Sequence, residues 1–345
     1  MPKILIIRFS SIGDIVLTTP LVRCLSQQLP NAQIHYLTKP AFAGILIPNP
    51  HIQKVHTLSS SIIKTIQQLK TEKYDNVIDL HHNQRSLLIK LGLGVTAKSF
   101  DKLNYEKWLA VNFKKIDDLP NLHIVDRYIA TAQHLGIKND GQGLDYFIPP
   151  KDEVNIEQQF PNLSPQKYIA LVIGAAHATK RMPTQKIIDL CNTIKQPIIL
   201  LGGKEDAENA NNIVMQSDRQ VINACGLLNL NQSASVVRQA GKVVSHDTGM
   251  MHIAAAFQKP ICSVWGNTIP QFGMYPYLSV AAQAQSVMVQ VANLPCRPCS
   301  KIGYNKCPKG HFNCMQQIDV AAIASFANQI EESPLITQQT NKPPS

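Results

Sequence analysis

Short runs rich in isoleucine, valine and leucine recur along this chain of 345 residues, separated by amphipathic stretches. In the first half they are KILII (3–7), QIHYL (33–37), KVHTL (54–58), NVIDL (76–80) and TAKSF (96–100). In the second half they are YIALVIG (168–174), PIILLGG (197–203), QVINACG (220–226), KVVSHDTG (242–249) and PICSVWG (260–266). Runs this short, bounded by turn residues, read as strands covered on both faces. Between them apolar residues fall at helical spacing, as with Ile62, Ile66 and Leu69, and with Leu87, Leu88 and Leu91. Helices are predicted over 15–29 and from Ile124 to Leu135, the second stopped by Gly136. Strands alternating with helices specify an α/β fold with parallel sheets.

The alternation breaks once. From Lys138 to Pro165 the chain carries Gly141, Gly143, Pro149, Pro150, Pro161 and Pro165 among many charges, which reads as a crossing between two units. The length fits about two domains. The expected architecture is two doubly wound domains facing across a cleft, over 1–150 and 151–332, with a polar, disordered tail at 333–345. No run approaches the ~18 apolar residues of a membrane span. Arg8 and Asp14 interrupt the apolar start, so it does not read as a signal peptide, and a cytoplasmic protein is expected. The net charge of +10 calls for an anionic partner. Between Asp247 and Asp319 no acidic residue occurs, while Lys259, Arg297, Lys301, Lys306 and Lys309 do. That stretch reads either as a solvated basic loop region or as a surface facing phosphate groups.

Every second-half strand ends in glycine or a small polar turn, at the edge where open α/β sheets bind ligands. In SHDTGMMHIAAAFQKP (245–260) a strand delivers His246, Asp247, Thr248 and Gly249 to the start of a helix, with His252 one turn on. Asp247 or Thr248 is expected to cap that helix, and its remaining N–H groups make an anion site. In GAAHATKRMP (174–183), Lys180 and Arg181 precede a helix with Pro183 at its first position, and Lys180 can neutralise a diphosphate. In LLGGKED (200–206), the glycines permit close approach and Glu205 either holds ribose hydroxyls or is one of the acidic residues favoured in a helix's first turn. In LIIRFSSIGDIVLTTP (5–20) the first strand–helix turn carries Asp14 directly after Gly13, where such folds usually welcome phosphate. Asp14 is either a favourable charge in a first helical turn or a general base at the lip of the cleft, fixed by Ser10 and Ser11. VIDLHHNQRS (77–86) ends a strand with His81, His82, Asn83, Gln84 and Arg85, an acceptor-binding edge or a polar loop. Cys24, Cys191, Cys225 and Cys262 read as core thiols. Cys296-x2-Cys299-x7-Cys307-x6-Cys314 reads as a structural zinc or other metal site, or as free thiols, with disulfides least favoured in a reducing compartment. A catalytic metal is not expected with four thiolate ligands.

Taken in order, RFSSIGDIVLTTP, GAAHATKRMP, LLGGKED and SHDTGMMHIAAA with KPICSVWG resemble the ADP-heptose:lipopolysaccharide heptosyltransferases, family nine of the glycosyltransferases. The resemblance runs over about residues 3 to 330, and CPKGHFNC is similar to the heptosyltransferase II branch. It implies a GT-B fold of two Rossmann-like domains, the first binding acceptor and the second nucleotide sugar. It implies inverting transfer of heptose from ADP-heptose to Kdo-lipid A or a heptosylated inner-core lipopolysaccharide, with no cofactor required for catalysis. By position Asp14 matches the base, Lys180 the diphosphate lysine, Glu205 or Asp206 the ribose acid, and Asp247, Thr248, Gly249 and His252 the donor motif. Ser10, Ser11, Gly13, His81 and Arg85 then fall on the acceptor side or in the cleft. Family members usually have tryptophan where Met182 stands, and some have hydroxyl side chains at Ala175 and Ala176, so another nucleotide sugar stays an alternative. A phosphorylated, membrane-embedded acceptor fits the basic charge and peripheral docking on the cytoplasmic leaflet of the inner membrane. A zinc-loop nucleic-acid-binding protein explains the charge and cysteines but leaves SHDTG and Lys180 idle and lacks interleaved aromatics, so nucleic acid is not an expected partner. A dinucleotide oxidoreductase lacks its GxGxxG.

Overall fold

A computed structural model describes residues 1–329; the tail expected at 333–345 lies outside them. The first sheet holds β1 (Lys3–Ile7), β2 (Gln33–Thr38), β3 (Lys54–Thr57), β4 (Asn76–Asp79) and β5 (Thr96–Ser99), all parallel, in the order β3-β2-β1-β4-β5. The second holds β6 (Ile169–Val172), β7 (Ile198–Leu201), β8 (Val221–Asn223), β9 (Lys242–His246), β10 (Ile261–Trp265) and β11 (Ser286–Gln290), in the order β11-β10-β9-β6-β7-β8, again parallel. The central strands are apolar on both faces because helices cover both; every residue of β6, β7 and β10 is buried. In each sheet the strand order reverses once, between β1 and β4 and between β6 and β9. The crevice beyond the carboxyl ends of such switch-point strands is where ligands sit. The segments that follow those four strands carry Asp14, His81, Lys180 and Asp247 respectively.

Several expectations need correction. The first helix is two helices, Ile12–Val16 and Thr19–Gln28. Pro20 has no N–H to continue the ladder, and the Thr18 and Thr19 hydroxyls donate to the carbonyls of Ile15 and Val16, both at 2.7 Å. The stretch read as Ile124 to Leu135 is α-helical only over Ile124–Ala130, then continues as a 3-10 turn, Gln133–Leu135, that stops at Gly136 with φ of 79°. Pro183 caps the helix Thr184–Thr193 instead of opening it. In the helix Gln84–Leu93 the buried residues are Ser86 and Ile89, while Leu87, Leu88 and Leu91 face outward. Strand β11 was not anticipated; it is an edge strand with only Val289 buried, so it carries little apolar signal.

Among the described residues, the segment 138–165 contains no strand. Arg23 straps its first part to the helix Thr19–Gln28, reaching Asp140 at 2.7 Å, Asp145 at 2.5 Å and the Gly143 carbonyl at 2.8 Å. Its later part is tied to the helix Leu230–Gln239, where the Ser235 hydroxyl accepts from the Val154 N–H at 3.0 Å and the Asn231 amide donates to Asp152 at 2.9 Å.

Candidate active site

After β1 the chain turns through Arg8–Ser11 into the short helix that carries Asp14. The Ser11 N–H and hydroxyl both donate to Asp14 Oδ2, at 3.0 and 2.7 Å, and the Arg8 guanidinium pairs with Oδ1 at 2.5 Å. Arg8 is itself fixed, donating to the carbonyls of Ser10 (2.8 Å) and Leu80. Burial alone raises the pKa of Asp14, but the Arg8 charge and the Ser11 hydrogen bonds outweigh it and hold the carboxyl below its ordinary value. A permanently ionised, oriented carboxylate results. After β4, the fully buried Asp79 accepts from the N–H groups of His81 (3.0 Å) and His82 (2.7 Å), the Ser86 hydroxyl (2.7 Å) and Lys90 (2.9 Å), and so shapes the loop. His81 lies against Phe9, ring centroids 4.7 Å apart; burial, then Arg8 and Lys102, push its pKa down to about 4. Arg85 is exposed at the rim.

In the second sheet, Asp247 Oδ2 binds Lys180 Nζ at 2.6 Å and accepts from the Thr268 hydroxyl at 2.8 Å. Lys180 also donates to the Asp247 carbonyl at 3.1 Å. The expected capping is therefore corrected. Thr248 occupies the cap position of the helix Gly249–Ala256, but its hydroxyl lies 3.2 Å from Ser245 Oγ and neither it nor Asp247 takes a helix N–H. The ammonium wins the carboxylate because a charge-assisted pair is stronger than a cap. The first amides of that helix are left without a side-chain acceptor, beside Lys180. Nearby, the Met182 N–H donates to His246 Nε2 at 3.0 Å and sets the Lys180 loop over β9. Of the two acids in LLGGKED, Asp206 is buried, paired with Arg181 at 2.9 Å and accepting from the Gly203 N–H at 2.9 Å, whereas Glu205 is exposed.

The two turns meet glycine to glycine. A Cβ on Gly13 would lie 2.6 Å from His252 Cδ2 and 3.3 Å from Gly249 Cα; one on Gly249 would lie 2.8 Å from Ile12 Cγ2 and 3.1 Å from the Gly13 nitrogen. His252 sits at this junction, 2% exposed, its Nδ1 without a hydrogen-bond partner. Burial lowers its pKa to about 4 against the pull of Asp247 and Asp14, so the imidazole is neutral. Asp14, Lys180, Asp247, Gly249 and His252 are thus brought together.

Other cations approach the Asp14 carboxylate, and the sequence reading did not single them out as a group. Lys107 is lowered to about 8 by burial, then by Arg127 and Lys301, and Lys102 is lowered by burial and then by Arg8; Asp14 pulls both upward. Arg127 donates only to the carbonyls of Asp101 (3.1 Å) and Phe272 (3.4 Å), its Nε unsatisfied. Among the described residues, none of Lys102, Lys107, Arg127 and Lys301 forms an ion pair. In sequence they are scattered over two hundred positions. The acid-free stretch is less of a surface than expected, because Lys259 and Arg297 are buried, Arg297 donating to the carbonyls of Val291 and Thr268. The thiols of Cys296, Cys299, Cys307 and Cys314 are free and, among the described residues, no three of them come within 4.8 Å of one another; Cys299 Sγ donates to the Cys296 carbonyl at 3.0 Å.

Comparison with known proteins agrees with this geometry. The family model for glycosyltransferase family 9 (heptosyltransferase) matches residues 62–306. Lipopolysaccharide heptosyltransferase 2 of Escherichia coli (strain K12) is 24% identical over 293 residues, covering 78% of this chain and 84% of that protein. The crystal structure of a family 9 glycosyltransferase from Veillonella parvula DSM 2008 aligns with a TM-score of 0.76 at 19% identity, over 94% of this chain and 96% of that one. The E. coli ADP-heptose lipopolysaccharide heptosyltransferase II structure aligns with a TM-score of 0.70 at 20% identity, over 94% and 97%. Two facing parallel sheets matched over nearly the whole chain make this a GT-B fold, and the chain belongs to glycosyltransferase family 9, the heptosyltransferase family of transferases.

Proposed function

We propose that this enzyme moves heptose from ADP-heptose to an inner-core lipopolysaccharide acceptor with inversion at the anomeric carbon, residues 1–150 binding acceptor and 151–332 the nucleotide sugar. The observation that carries this is the placement of Asp14, ionised and aimed by Ser11 and Arg8, across the Gly13–Gly249 junction from Lys180 and an uncapped helix N-terminus. Asp14 takes the proton from the acceptor hydroxyl as that oxygen attacks the anomeric carbon. Its pKa is low, so the proton moves late, once C–O bond formation has acidified the hydroxyl. ADP leaves toward Lys180, Thr248 and the amides from Gly249, where preorganised charge stabilises it, and Glu205 takes the ribose. With Lys180 and the helix amides meeting the diphosphate charge, the reaction requires no cofactor. Neutral His252 contacts the diphosphate or sugar. Ser10, His81 and Arg85 line the acceptor side.

An anionic acceptor is supported by Lys102, Lys107, Arg127 and Lys301, whose charges have no carboxylate partner of their own except the distant pull of acids such as Asp14. Docking on the anionic leaflet of the inner membrane is supported by exposed Leu87, Leu88 and Leu91 on one helix, exposed Tyr105, Trp108 and Phe113 on another, and exposed Lys301, Lys306 and Lys309. No helix is long and apolar enough to cross a membrane. Met182, where family members usually have tryptophan, is buried in the core of the second sheet and leaves the sugar identity to the cleft side chains. The loop 296–314 keeps its reading as a structural zinc loop, whose metal would have to draw the four thiols together. Thermal shift tests the donor assignment. ADP raises the melting temperature, and NAD and an oligonucleotide do not; stabilisation by the oligonucleotide instead of ADP overturns the reading.

A further inference from the structure

We propose a second, structural metal site on one face of the first sheet at its β3 edge, formed by His35, His56 and Glu72 and suited to zinc or another late first-row divalent ion. His35 on β2 and His56 on β3 project to the same face of the sheet, and Glu72 and Tyr74 come over them on the turn leading into β4. His35 Nδ1 and His56 Nε2 are 3.3 Å apart. Glu72 Oε2 lies 3.8 Å from the first, and Oε1 lies 3.7 Å from the second. A tetrahedral zinc with bonds of about 2.0–2.1 Å has ligand–ligand edges of about 3.3–3.4 Å. The imidazole–imidazole edge is already that length; each imidazole is nearest a different oxygen of Glu72, and with one atom taken from each residue the three lie within 4.8 Å of one another, so the carboxylate turns inward on binding. Among the described residues this is the only set of three metal-ligating side chains so closely gathered. The donors, two imidazole nitrogens and one carboxylate oxygen, are the borderline set that zinc prefers. Tyr74 Oη lies 2.9 Å from His35 Nδ1 and 3.0 Å from His56 Nε2, and it or a water supplies the fourth ligand.

Both histidines are buried, 5% and 3% exposed, and burial keeps them in the neutral form that ligates metal. Two ammonium groups compete for the carboxylate: Lys54 holds Oε1 at 2.5 Å and Lys3 holds Oε2 at 3.4 Å. The Lys54 side chain is 53% exposed and can swing into water. The site lies on the β2–β3 side of the sheet and, among the described residues, none of its members bonds to Asp14 or Lys180, so its work is to tie β2, β3 and the turn before β4 together, not to join the transfer reaction. It stands independently of the proposed sugar chemistry.

The test uses the full chain, stripped with a chelator and titrated with zinc chloride, with bound metal counted by mass spectrometry and its ligands read by zinc-edge X-ray absorption. The expected result is a zinc with a nitrogen and oxygen shell and the outer scattering of two imidazoles, counted apart from any sulfur-ligated zinc of the cysteine loop, present alone in a Cys296→Ser, Cys299→Ser, Cys307→Ser, Cys314→Ser chain and lost in His56→Gln. Lys54→Met, which removes a competing cation, tightens zinc binding several-fold; a purely hydrogen-bonded cluster predicts no such gain. If the cysteine-free chain does not fold, the wild-type spectrum decides. Zinc bound through sulfur alone, or no zinc retained by a folded chain, overturns the proposal.

Discussion

Asp14 keeps a full negative charge where burial disfavours it, because Arg8 and Ser11 favour the ionised form more than burial opposes it. Its folded pKa is depressed, so its contribution to stability is present above the ordinary carboxyl value of about 4 and is lost as pH falls through the lower folded value. Only the deprotonated form accepts a proton, so kcat/KM has no acidic limb at pH 5–7 from this group. Arg8→Met removes the largest charge that opposes burial and raises that pKa. The pH–rate profile of this variant then loses activity on the acid side at a higher pH than that of the wild type, and an unchanged profile argues against the role of Arg8. Lys180→Met removes the cation beside the open helix end. Charge-assisted contacts of this kind contribute about 1.5–3 kcal/mol, so ADP affinity measured by calorimetry falls roughly 10- to 100-fold. Asp14, Lys180, Asp247 and His252 were legible as candidates because each lies in a segment that follows a strand, in the connection or in the first turn of the helix it leads to. Arg8 as the partner of Asp14, Thr268 as the partner of Asp247 and Lys107 near Asp14 were not: their roles depend on pairings between distant segments that no local pattern announces.

Among the elements, the junction of the helices Ile12–Val16 and Gly249–Ala256 sets how closely the Asp14 turn approaches the Lys180–Asp247 pair, the proposed base and leaving-group sides. Gly249→Ala places a methyl 2.8 Å from Ile12 and 3.1 Å from the Gly13 backbone nitrogen, which cannot move without its whole turn. Overpacking of this sort costs about 1–3 kcal/mol. A lowered melting temperature and a reduced kcat are expected, while Gly44→Ala, with nothing within 4 Å of the new methyl, changes neither. The strands of both sheets were legible from β-branched runs ended by small residues, save β11, whose outward Val287 and Met288 blur the pattern. Helix boundaries were less so. Pro20 splits the first helix, and the winning partner of Asp247 is Lys180 from another loop, an outcome that helix-cap rules read along the chain do not include.

For the whole molecule, two sheets with their switch points facing each other make one crevice, in which the cations around Asp14 stand opposite Lys180 and the helix Gly249–Ala256; in the proposed function these are the acceptor and donor sides. Replacing Lys102, Lys107 and Lys301 together with methionine is expected to raise KM for the acceptor at least tenfold while leaving ADP affinity unchanged; a fall in ADP affinity instead places these lysines on the donor. The fold class was legible from the rhythm of the strands. The two-sided chemistry was only partly so, since the cations near Asp14 come from segments about two hundred residues apart. The most direct measurement is mass-spectrometric transfer of heptose from ADP-heptose to a Kdo-bearing lipid A core, run on the wild-type chain and on Asp14→Asn. The wild type is expected to give product, and the variant a rate at least a hundredfold lower with ADP binding retained; equal rates from both chains would remove Asp14 from the role of base.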